Sequence, residues 1–264
     1  MSRRVMRVGL LALVVGMLGP QGIVAGQDGP RAREIEVEPT QVRAGMFFDG
    51  ATLGISALVP EGLEVTVTCV GKDEPVVLSR KGKVLGLIWM NVGEVEIDGA
   101  PDLYLLNSTG LLEEMASTAV LNDLGVGYEA LETRATLEGT EGEDDLYFRE
   151  FVSLKESDGL YTLGEGQVER TAREGGEVRV RAELRLPPKT PPGEYRILIH
   201  GFGEAGNVLL GAFPLQVEQV GMAATIRNLA TERGLLYGIL AVVVAITVGL
   251  LTGVLFGLGS KKAH

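Results

Sequence analysis

Two histidines, one cysteine and 35 carboxylates are the reactive inventory of this 264-residue chain. General acid–base catalysis needs an imidazole or a poised carboxyl within hydrogen-bond reach of the reacting proton. His264 ends the chain, which leaves His200 as the one imidazole for an external site. On a strand, His200 shares a face with Arg196 and opposes Tyr195, Ile197 and Ile199, so a solvated surface position is expected for it. A zinc site built on His and Cys fails by count, and the chain has no Gly-x-Ser-x-Gly elbow, phosphate-binding P-loop or His-Glu-x-x-His. Cys69 alternates with Leu63, Val65 and Val67, which is the pattern of a small buried hydrophobe, and with no second thiol it forms no internal disulfide. Glu141, Glu143, Asp144 and Asp145 lack the ligand spacing and glycine of a calcium loop. A paired-carboxylate hydrolase leaves no local signature, but sugar clefts usually present aromatics and only 5% of this chain is aromatic. The residues therefore point to a non-enzymatic protein without a cofactor.

Two further groups of residues suit binding rather than catalysis. Arg80, Lys81 and Lys83 form the densest basic cluster in an acidic region and precede the single tryptophan, Trp89, and Asn91. A cationic loop beside Trp89 is a candidate surface for an acidic partner or lipid headgroups; the competing reading is a charged hairpin turn followed by a core tryptophan. Gly201, Gly203 and Gly206 match a dinucleotide-binding glycine pattern, but that pattern works only when a helix starts there to hold the pyrophosphate. Val208-Leu209-Leu210 and Phe213-Pro214-Leu215 follow without helical spacing, so these glycines read as a connection between two strands.

The elements that position these residues are mostly strands. Val178, Val180, Ala182, Leu184 and Leu186 alternate with charged residues, and Leu63 to Cys69 alternate after a Pro60-Glu61-Gly62 turn. Shorter strands are expected at Ile35–Val37, Val76–Leu78, Val84–Met90, Val95–Ile97, Leu103–Leu106, Glu194–His200 and Val208–Val217. Short strands with Gly or Pro about every ten residues indicate an antiparallel sandwich. In the middle, Leu112, Met115, Ala116, Ala119 and Val120 keep helical spacing, with Thr109 as the expected N-cap and Gly125 past the end. A second helix is expected from Asp145 through Phe148, Phe151 and Val152 to Asp158-Gly159, and the acidic stretch 138–145 reads as a solvated loop before it. The expected fold is mainly β: an immunoglobulin-like antiparallel sandwich over residues 27–233, with a helical insertion near 109–158 and one C-terminal transmembrane helix.

Charge and hydropathy set the topology. All 35 Asp and Glu lie within residues 27–233, against 19 Lys and Arg (24 less three before and two after), a formal charge of −16. Phosphate binding needs clustered cations, so nucleic acid is excluded as a partner. Residues 1–26 have three arginines, a short apolar run and small residues, the order of a secretory signal peptide. Residues 235–258 contain no charge and make about 36 Å of helix against roughly 30 Å of hydrocarbon, enough to cross a bilayer. Lys261 and Lys262 follow in the tail 259–264. With an exported N-terminus they face the cytoplasm, which leaves the acidic body in the bacterial periplasm on an inner-membrane anchor. Gly249, Gly253 and Gly257 recur every fourth residue on one helix face, a candidate seam for helix packing, though glycine is also common in membrane helices.

Three segments carry a family likeness: Arg80-Lys81-Gly82-Lys83-Val84-Leu85-Gly86-Leu87-Ile88-Trp89-Met90-Asn91, Ala100-Pro101-Asp102-Leu103-Tyr104-Leu105-Leu106-Asn107-Ser108, and Leu186-Pro187-Pro188-Lys189-Thr190-Pro191-Pro192-Gly193-Glu194-Tyr195. In this order the chain resembles the uncharacterised transmembrane protein family first described from alphaproteobacteria, over about residues 34–258. It departs at Asp102 and Leu103, where the resemblance implies Ser and Phe. The resemblance implies a bacterial inner-membrane protein without an assigned activity, found near sulfite-exporter-like permeases. The expected role is that of an accessory or assembly partner of another membrane protein such as a permease, or a self-associating one. The alternative is a periplasmic module binding envelope glycan or a small exported solute.

Overall fold

The computed structural model describes residues 31–84, 88–203, 206–221, 230–231 and 233–259. The expected signal peptide and the Lys261-Lys262 tail lie outside the described residues.

Period-two alternation builds two facing sheets. In β11 (Glu177–Leu186) the five apolar side chains are buried while Arg181, Glu183 and Arg185 are exposed. It pairs along its whole length with β3 (Ala51–Pro60), from Glu177 opposite Pro60 to Leu186 opposite Ala51. β1 (Arg33–Glu38) and β10 (Glu169–Glu174) flank this pair. The second sheet runs β2 (Gln41–Ala44), β13 (Val208–Gln219), β12 (Gly193–Phe202), β4 (Glu64–Val70), β7 (Tyr104–Ser108), β9 (Tyr161–Gly164). The order β1-β3-β11-β10 against β13-β12-β4-β7-β9 matches the ABED and GFCC′C″ sheets of a variable-type immunoglobulin sandwich. Its tyrosine corner is present: at the start of β12 the Tyr195 hydroxyl donates to Pro191 O at 2.6 Å. Ile197, buried two residues later, stands where antibody domains carry a cysteine. Asn107 ties the two sheets by donating to Glu183 O at 2.9 Å.

The sheets are not wholly antiparallel. β2 runs parallel to β13, because the chain leaves β1 at Pro39-Thr40 and continues in the same direction on the other sheet. β9 runs parallel to β7, which requires a crossover of a dozen or more residues. The insertion between them supplies it.

That insertion has more parts than the spacing suggests. α1 (Leu112–Met115) and α2 (Thr118–Leu124) replace the single helix expected from Leu112, because Ala116 is fully extended at φ −159° and ψ 162°. Thr109 does not cap either one. Its hydroxyl accepts from Val65 N at 2.9 Å and is hydrogen-bonded to Glu64. Gly125 ends α2 in the left-handed region at φ 69°, as expected. α3 (Tyr128–Arg134) was not apparent in the spacing, whereas α4 (Asp144–Ser157) buries Phe148, Phe151 and Val152 as expected. A third sheet, β5 (Val76–Val84), β6 (Ile88–Asp98) and β8 (Thr136–Glu138), joins the insertion to a long hairpin placed between β4 and β7. Val84 to Met90 is therefore not one strand: Val84 pairs antiparallel with Ile88, and residues 85–87 lie outside the described residues. One core cluster links both main sheets and the insertion, from Leu53 and Ile197 to Phe151 and Tyr161.

α5 (Gly234–Gly259) covers the expected span. It is apolar all round and none of Tyr237–Val254 is buried against protein, the surface of a helix whose solvent is lipid.

Candidate functional site

Of the expected partner surface, the structure places all five residues on the β5–β6 hairpin. The basic cluster lies in strand β5 rather than in a loop. Arg80 pairs with Gly93, Lys81 with Asn91 and Lys83 with Trp89, and Val92 is the extra residue of a bulge between the first two pairs. Arg80 is already engaged: its guanidinium lies over Gly93 and bonds the Glu141 carboxylate at 2.7 Å. Asn91 serves the bulge, donating to Arg80 O at 2.9 Å and Gly93 O at 3.0 Å while accepting from Ser79 Oγ at 3.2 Å. Lys81 is exposed. The side chains of Lys83 and Trp89 lie outside the described ones, so the expected core tryptophan does too.

The hairpin carries a feature that the charges hid. At its base, Val95 and Ile97 are buried, with Val76 and Leu78 packed against the core beside them. Strand alternation continues that same face outward through Met90 and Ile88 beyond the bulge. There Ile88 is 63% exposed and Met90 50%, with Val92 also exposed. The core-facing row thus runs off the body and stays uncovered. The signal was legible as alternation in Ile88-Trp89-Met90-Asn91, but only once the pairing of Val84 with Ile88 fixes the face.

A second cluster, missed by sequence reasoning, surrounds Asp102. Its carboxyl is buried, with Oδ1 unpartnered, and it occupies the space a Cβ at Gly71 would fill. Burial, with the nearby Glu74 charge, pushes its pKa up. Lys155 donates to the Asp102 backbone oxygen at 3.3 Å and lies 5.5 Å from the Phe151 ring centre and 5.7 Å from that of Tyr161. Burial depresses the lysine. Tyr161 donates to Pro101 O at 2.7 Å, and Tyr104 accepts from Gly127 N at 2.8 Å. These bonds dock α3 and α4 onto the 100–108 segment, a packing role.

His200 differs from expectation. It is buried rather than solvated, in a row with Thr66 and Ser108 on the outer face of the second sheet. Tyr104 is on that face too, and its hydroxyl reaches the α2–α3 junction at Gly125 O and Gly127 N. Burial lowers its pKa to about 4, and its Nδ1 has no partner. Cys69 is buried as expected, its thiol pushed up to about 12 by burial. Gly201 and Gly203 join β12 to the turn before β13, where Leu63 packs against both, so their small size serves packing. Gly249, Gly253 and Gly257 all fall in α5, and the space beside Gly249 and Gly253 is open. A 430 Å³ cleft between α2 and Asn207 is shallow, lined by Ala119, Val120, Asp123 and Leu124.

Residues 34–257 match the model of the family described as "Putative transmembrane protein (Alph_Pro_TM)". The chain belongs to that family. No curated protein matches it. Two of the three segments that carry the likeness, 100–108 and 186–195, lie at one end of the sandwich, and the first, 80–91, is the outer part of the hairpin that springs from that end. The connections there are β2–β3, β4–β5, β6–β7 and β11–β12, and β13 leaves the domain from the same end. Asp102, where the family resemblance implies serine, is the buried carboxyl that Gly71 makes room for.

Proposed function

We propose that this member of the Alph_Pro_TM family is a non-enzymatic accessory or assembly partner of another membrane protein. Its sandwich lies in the periplasm, its single helix crosses the inner membrane, and its lysine tail is cytoplasmic. The observation that supports this reading is the hairpin arm, where Ile88 and Met90 stand exposed on the face that carries Val95 and Ile97 into the core. An exposed apolar pair with the charged Arg80 beside it on the same face is what a protein partner covers. The open glycine face of α5 offers close approach to a neighbouring helix in the same complex.

A photo-crosslinking residue at Met90, introduced into the full chain in native membranes, tests the reading. The expected result is one discrete adduct that also co-purifies in mild detergent. A monomeric full-length protein with no adduct overturns it. Protease protection tests the orientation separately, with the sandwich expected to be digested only from the periplasmic side.

A further inference from the structure

The β2–β3 connection has an odd construction. Gly45 O accepts from Phe48 N at 3.2 Å, closing a tight turn, and Phe48 packs against the core. Gly50 completes the connection at φ +106°, where any side chain would run into Leu186 O. This pinned turn nevertheless holds Met46 60% exposed and Phe47 91% exposed, the latter more open than any other large apolar side chain described. Among the described residues at the opposite end of the sandwich, Glu61-Gly62, Gly175-Gly176 and Gly206-Asn207 are polar or glycine-only, and Leu111 after β7 is 50% exposed.

The position of the turn says what covers it. β2 is hydrogen-bonded in parallel to the last residues of β13, with Ala44 opposite Gln219, and Val220 N donates to Ala44 O at 2.9 Å. From Val220 the chain goes on through residues 221–233 into α5. Phe47 therefore sits three residues from the point at which the chain leaves the sandwich for its membrane span. Two side chains on a turn are far below the roughly 800 Å² per partner that a stable protein interface buries. A bilayer sets no such minimum for a domain already tethered to it, since the tether supplies the effective concentration.

We infer that the Met46–Phe47 turn dips into the bilayer interface and holds this end of the sandwich against the lipid. The contact is independent of the partner role proposed above and of which side of the membrane the sandwich occupies.

The full-length chain in phosphatidylcholine nanodiscs, one chain per disc, tests it. A nitroxide is attached at Met46→Cys, and a control label at Glu61→Cys in the far turn. Cys69 is buried and does not compete for the reagent. The label at 46 is expected to lose collisions with an aqueous nickel chelate and gain collisions with oxygen, while the label at 61 stays water-accessible. Adding Phe47→Ser, which leaves the melting temperature unchanged, is expected to return the label at 46 to water. A label at 46 as open to the chelate as that at 61, or shielded from both reagents by protein, overturns the inference, as does one unmoved by Phe47→Ser.

Discussion

β4 and β6 share one alternating pattern but meet different surroundings. In β4, Val65, Val67 and Cys69 fill the space between the sheets, and even the outward Thr66, Thr68 and Val70 are buried. In β6 the same alternation is covered only near the body, at Val95 and Ile97, and runs into solvent at Met90 and Ile88. Alternation specifies a face. Whether that face is core or contact surface depends on which elements are layered over it.

The largest expected effect is therefore in the buried region. Phe151→Ala removes a fully buried ring that meets Tyr161 edge-on at 5.7 Å, and a loss of about 3–5 kcal/mol in unfolding free energy is expected by denaturant titration of the full chain in detergent. The buried outer face also makes stability depend on pH. His200 titrates at about 4 in the folded chain and near 6.5 when unfolded, so between these values the unfolded state binds more protons. This contribution is fully favourable above pH 6.5 and is lost as pH falls towards 4, by roughly 3 kcal/mol in all. The difference between the native chain and His200→Gln across pH 4–7 isolates it, since Asp102, with its raised pKa, is common to both. A flat difference would mean that the outer face is open to water and would dissolve the contrast between β4 and β6. Tyr195→Phe removes the bond to Pro191 O and is expected to cost about 1 kcal/mol without altering the arm. Smallest of all is Ile88→Ser, expected to change stability by no more than about 0.5 kcal/mol while reducing adduct formation from the crosslinker at Met90. A stability loss comparable to that of Phe151→Ala would show that the arm is covered within the chain itself.

Much of the fold can be read from particular residues. The alternation of Val178 to Leu186, the turn at Glu61-Gly62, the glycine stop at Gly125 and the uncharged span from Leu235 each have a local cause, and each stands where local rules put it. β3 was not legible, because Gly54, Ser56 and Ala57 are small residues with weak strand preference, fixed by pairing with β11 along a ten-residue register. The burial of His200 was equally invisible: its strand neighbours predict a wet face, and its burial comes from the tertiary arrangement. The arm was obscured because a seven-residue apolar stretch, Val84 to Met90, does not reveal that Val84 and Ile88 pair as members of two strands. The Asp102 cluster brings together β4, the 100–108 segment and α4, whose proximity only the tertiary arrangement creates.

The strand that leads to the anchor has a bonded neighbour on each side, β12 along most of its length and β2 over its last four residues. A tug transmitted from the lipid runs along the axis of β13 and loads these rungs in shear, so that they resist together. Peeling would break them one after another at far lower force. The short β2 strand thus works as a strain relief at the cable's entry, and shortening it would make the tether fail mechanically well before the sandwich loses its thermal stability.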